Sequence, residues 1–125
     1  MFRVSGFLFL VALTLSFVHD ITFFIYKIIM PAYIIVEVKV DNPVDYEEYK
    51  RLTPATLVPY QGKFIVRGGE TESLEGNWQP ERIVVLEFPT KHLAKQWWSS
   101  VEYAPAKAIR HRTASTKMLL VTGVD

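Results

Sequence analysis

The chain is predicted to adopt an α+β fold of β-α-β-β-α-β order, a four-stranded antiparallel sheet with both helices on one face. Three observations lead there. A β-branched run, Ala32 to Val40, places apolar residues at every second position. The stretch Gly62 to Pro89 holds two apolar strands joined by a polar, glycine-bearing loop. Each of these blocks leads into a helix-start signal, at Asn42 and at Thr90.

In the first strand, Ile34, Val36, Val38 and Val40 share one face, and Tyr33, Ile35, Glu37 and Lys39 share the other. Asn42 before Pro43 reads as an N-cap followed by a proline at the first helical position. Asp45, Glu47 and Glu48 then put negative charge where the helix dipole favours it. This helix carries Tyr46, Tyr49, Leu52 and Leu57 at helical spacing, should bend near Pro54, and must end by Pro59. Gly62 to Arg67 is the second strand, and Gly68-Gly69 gives the backbone freedom to turn out of it. Arg82 to Phe88 is the third strand, and the loop before it is too long for a tight hairpin. Thr90 caps a second helix, residues 91–100, with Leu93, Ala94, Trp97, Trp98 and Val101 as its apolar stripe. A further helical turn or two follows from Ala104 to Arg112, and Met118 to Thr122 is the last strand.

Composition removes whole classes of function. With 14 basic and 13 acidic residues in 125, there is no electrostatic footprint for nucleic acid or an anionic membrane surface. Without cysteine there is no disulfide framework, thiolate nucleophile or cysteine-bearing zinc site, which fits a reducing compartment, and the expected location is cytoplasmic. One compact domain over residues 30–125 is expected, preceded by an apolar extension over residues 1–29. The extension has three readings. It is an upstream extension of the reading frame, with Met30 as the natural start, or a signal lacking a cleavage site, or an anchor whose span must take in His19, Asp20 or both. The last two would make the protein exported or membrane-tethered, and membrane contact is expected only if residues 1–29 are retained.

Several separated motifs carry a resemblance. They are the opening Met30 to Lys50, the block Tyr60-x-Gly62-Lys63-Phe64-x-x-Arg67-Gly68-Gly69, the run from Leu74-Glu75-Gly76-x-Trp78 to Phe88-Pro89, and Trp98-x-Ser100-x-x-Tyr103 with Arg110. In these the sequence, from Met30 to about Gly123, resembles the bacterial family called domain of unknown function 1330. The resemblance implies a ferredoxin-like domain of the dimeric α/β-barrel superfamily, a homodimer whose two sheets pack face to face. Two positions depart from the family pattern: Trp98 stands where tyrosine is expected, and Thr122 where glutamate is common.

The chemistry-bearing residues divide by strand parity. Glu37, Arg67 and Glu87 fall on one sheet side, where they either line a pocket or form buried ion pairs across the expected dimer. These three are the catalytic candidates: Glu37 or Glu87 as a base, and Arg67 as the group that stabilises negative charge. A ligand pocket between sheet and helices is expected to be walled by Tyr33, Trp97 or Trp98, and Tyr103, with Arg67 or Arg110 facing the ligand's acidic group. His92 and His111 lack partners that would make them ligands, so no metal or cofactor is expected. No serine sits in a nucleophile elbow. Two function classes remain: a cofactor-independent enzyme acting on a small carbonyl or aromatic metabolite, and a non-catalytic small-molecule-binding or stress-related dimer.

Overall fold

The computed structural model describes residues 18–22 and 30–124. The other residues of the extension lie outside the described residues, as do the alternative readings placed on them. Residues 18–22 are helical, with Val18 and Ile21 exposed. Among the described residues no helix is long and apolar enough to cross a membrane.

Eight elements follow Met30: β1 (Ala32–Val40), α1 (Pro43–Leu57), a 3-10 turn (Val58–Tyr60), β2 (Lys63–Arg67), β3 (Arg82–Phe88), α2 (Lys91–Trp98), α3 (Ala104–Thr113) and β4 (Ala114–Thr122). The strands form one antiparallel sheet in the order β2-β3-β1-β4. The helix starts are those the sequence signals. Asn42 Oδ1 accepts from the Asp45 amide at 3.2 Å, and Thr90 Oγ1 accepts from the Leu93 amide at 3.1 Å.

Ile34, Val36 and Val38 of β1 and Val84, Leu86 and Phe88 of β3 form the sheet side of the core. Tyr46, Leu57, Ala94, Trp97, Tyr103 and Ala106 close it from the helices. Trp97 is fully buried, its ring 5.7 Å from Phe88 and 4.0 Å from Tyr103, with its indole N–H donated to Thr56 Oγ1 at 3.0 Å. Gly62 packs against Phe88 so closely that a Cβ would meet the ring at 2.5 Å.

Three expectations are corrected. The α2 stripe is narrower than read, because the helix ends at Trp98 and leaves Val101 in a turn, 83% exposed. Strand β4 begins at Ala114, not Met118, because Ala114, Ser115 and Thr116 continue the ladder with Val40, Lys39 and Val38. The third correction bears on the site: β2 carries a register shift between Phe64 and Val66. Phe64 opposes Leu86, Val66 opposes Val85, and Arg67 opposes Val84. Ile65 is the extra residue of a β-bulge, so side-chain alternation restarts after it. Arg67 therefore faces the helices with Val84, not the open sheet side with Glu37 and Glu87.

Candidate functional site

The last turn of α3 carries Arg110 into the interior, where it is 3% exposed. Its Nε donates to Tyr103 Oη at 3.2 Å and its Nη1 to Thr116 Oγ1, while Nη2 lies 3.4 Å from His111 Nε2. Tyr103 Oη is in turn 2.8 Å from Tyr49 Oη, which continues the chain to α1. Among the described residues the ion pairs are Lys50–Glu47, Arg51–Glu48 and Lys63–Glu87, so no carboxylate answers Arg110. A guanidinium withdrawn from water costs several kcal/mol unless an anion or a full set of hydrogen bonds compensates it. Arg110 has only neutral partners.

Burial holds the Tyr49 phenol well above the ordinary tyrosine range, with Tyr103 adding to the shift. Tyr46, whose ring centre is 5.2 Å from that of Tyr49, is also raised, chiefly by burial, although Arg82 and Arg110 pull the other way. These two phenols are protonated at neutral pH and have an O–H to offer. A small space of about 20 Å³ adjoins Tyr46, Tyr49, Trp97 and Arg110, enough for one water molecule or one ligand oxygen atom.

Above it an open groove of about 920 Å³ runs along α1, and Lys50, Arg67 and Arg82 line both spaces. Pro54 sits inside α1 and has no N–H, so the Lys50 carbonyl lacks its helical donor. Arg67 Nη2 supplies the missing bond at 2.6 Å, and its guanidinium lies 4.3 Å from the centre of the Phe64 ring. Arg82 lies 5.9 Å over Tyr46, and its Nε is buried with no hydrogen-bond partner. Gly68, at φ 73°, lies beneath that guanidinium, where any side chain would collide with it.

The sequence-based candidates separate. Arg67, Trp97, Tyr103 and Arg110 meet on the helix side, whereas Tyr33, Glu37 and Glu87 lie on the open sheet face. Glu87 pairs with Lys63 at 3.1 Å, and Glu37 accepts the Trp78 indole N–H at 3.1 Å. Neither carboxylate stands beside Arg67, so within one chain the expected base and charge-stabilising group are not assembled. Tyr33 is not a wall of the interior for the same reason. Trp98 turns outward, 46% exposed, with Lys107 Nζ 4.1 Å over its ring. The sequence reading missed Tyr46, Tyr49, Arg82 and Thr116. A signal was present for the first two, since tyrosines three apart on a capped helix share a face.

Similarity to known proteins is broad in fold and silent on chemistry. The chain shares its fold with a protein of unknown function from Rhodopseudomonas palustris, at 15% identity over 78% of this chain and 85% of that one, TM-score 0.63. It is similar to SnoaB, a cofactor-independent oxygenase from Streptomyces nogalater, at 12% identity over 77% of this chain and 95% of that one, TM-score 0.57. A third likeness is to a dimeric protein of unknown function and ferredoxin-like fold from Bacteroides fragilis, at 17% identity over 75% and 96% of the two chains, TM-score 0.50. No curated protein matches. Residues 31–124 match the domain of unknown function DUF1330, and the chain, a ferredoxin-like α+β domain, belongs to that family.

Proposed function

We propose that the protein binds a small carbonyl or aromatic compound on the helix side of its sheet, with Arg110 holding a ligand oxygen that is, or becomes, negatively charged. Buried Arg110 without a carboxylate partner is the observation that carries this reading. The test is a thermal-shift panel of 2-oxo acids and phenols on the wild type and on Arg110→Met. At 100 times its dissociation constant a true ligand stabilises the wild type by about 2.7 kcal/mol. The variant should gain much less, and equal gains would remove Arg110 from the site.

A catalytic version is supported by the Arg110–Tyr103–Tyr49 chain, which sets two phenol hydroxyls next to a cation. Such a chain suits stabilisation of an enolate or phenolate without a cofactor. The fold shared with a cofactor-independent oxygenase is in keeping with it. Deuterium exchange at the carbon next to a bound carbonyl, measured by NMR, tests it. Tyr103→Phe should slow the exchange, and an unchanged rate would leave a binding protein only.

The working unit of this reading is residues 30–125, as a homodimer closed by the open sheet face. That face carries Tyr33, Ile35, Ile83 and Val85, with Val66, Leu119 and Val121 more exposed still. An apolar surface of this kind favours a second copy over water. Residues 30–125 expressed alone should melt at the full chain's temperature, and a drop of many degrees would place the extension in the fold.

A further inference from the structure

We infer that the ligand carries a carboxylate, and that Arg67 and Arg82 together form its anchor where the groove meets the interior. The inference deepens the proposed function and rests on it, since it places the handle of the same ligand. The groove's own acids are already engaged. Glu47 pairs with Lys50 at 2.9 Å, Glu48 with Arg51, and Asp45 accepts from Asn42 Nδ2 at 3.0 Å. Among the described residues no carboxylate pairs with Arg67 or Arg82. The buried Nε of Arg82 lacks any partner, an uncommon state for a buried donor and one a ligand oxygen would relieve.

Both guanidinium groups are held in place before any ligand arrives. Arg67 is fixed by the Lys50 carbonyl that Pro54 leaves free and by the Phe64 ring. Arg82 rests over Tyr46 and across Gly68. Arg67 opposes Val84, two positions from Arg82 on the same side of β3. The two arginines are thus diagonal neighbours, about 7–8 Å apart at the backbone, within reach of one shared carboxylate. Along the ladder Arg82 opposes Val38 and Val38 opposes Thr116, the residue that Arg110 holds. The anchor and Arg110 therefore flank one spot on the sheet. A short ligand can meet both, such as a 2-oxo acid, with its carboxylate and side chain in the groove and its keto oxygen in the interior space.

The planar fork of arginine matches a carboxylate bidentately. Asp45, Glu47 and Glu48 in the groove are outnumbered by Lys50, Arg51, Arg67, Arg82 and Arg112, so inorganic phosphate is the competitor the test must exclude.

The test uses the full chain in calorimetric titrations with pyruvate and phenylpyruvate, their amides and inorganic phosphate. The acids should bind at least tenfold more tightly than the amides. Arg67→Gln and Arg82→Gln should each weaken the acids at least tenfold and leave the amides unchanged. Arg110→Met should weaken acids and amides alike. Should Arg82→Gln fail to fold, Arg67→Gln, at an exposed position, decides the matter by the same criterion. Equal binding of acid and amide, no binding of either acid at millimolar concentration, or phosphate competing as strongly as the acids would overturn the anchor. Loss of acid binding in Arg67→Gln with none in Arg110→Met would overturn the interior reading and keep the anchor alone.

Discussion

The two faces of the sheet treat charge in opposite ways. On the open face each candidate acid has a local partner: Glu87 holds Lys63 from the adjacent strand, and Glu37 holds the Trp78 indole. On the helix face Arg110 is buried among neutral hydroxyls, and Arg82 keeps an unpartnered buried nitrogen. Glu87 is balanced by Lys63 and Glu37 is reached by water, which is enough for a structural surface. Cationic groups buried without anions weaken a fold, and they persist where a bound group completes them. In the reading proposed above, the helix face carries the chemistry and the open face the assembly.

The adjacent tryptophans give the largest way to break this contrast. Trp97→Ala should cost about 3–5 kcal/mol in urea denaturation, because the ring fills the core beneath Phe88 and Tyr103. Trp98→Ala should cost no more than about 1 kcal/mol, the worth of an exposed cation–π contact with Lys107. Similar losses would erase the distinction between inward and outward sides of α2. On the open face, Val85→Glu should leave the domain folded and weaken self-association about a hundredfold, ~2.8 kcal/mol, in sedimentation. An unchanged dimer would move the interface elsewhere.

Tyr49→Phe sharpens the comparison from the helix side. Loss of the Tyr49–Tyr103 bond should cost about 0.5–1.5 kcal/mol at neutral pH. Burial raises the folded phenol above the ordinary value of about 10. Above about pH 10 the folded state then holds more protons than the unfolded one, so stability falls as pH rises through that window and is fully present below it. The variant's alkaline limb should be shallower, and an identical limb would mean Tyr49 is not buried as described. The smallest effect is expected from Glu87→Gln, within about 0.5 kcal/mol, since its partner Lys63 is two-thirds exposed. A loss above 2 kcal/mol would show that the open face also depends on its charges.

Element order and both helix caps were legible because their signals are local: alternation in Ala32–Val40, Asn42 before Pro43, and Thr90 three residues from Leu93. The side on which Arg67 falls was not. Alternation counted from Lys63 assigns it to the open face, and only the pairing of β2 with β3 shows that Ile65 is the extra residue. The Arg110–Tyr103–Tyr49 chain was half legible. Tyr103 and Arg110 stood out by motif, but Tyr49 lies 54 residues from Tyr103 and joins it only through helix packing. The early start of β4 was hidden by Ser115 and Thr116, polar residues on a strand at the sheet edge.

The most direct measurement of whether the helix face is built for a ligand is the unliganded stability of Arg110→Met in urea. Replacing a buried, anion-free guanidinium by an apolar side chain of similar length should leave the domain as stable as the wild type or more so, by up to about 4 kcal/mol. A loss of 3 kcal/mol or more would mean that Tyr103 and Thr116 already satisfy Arg110, and that it holds the fold and not a ligand.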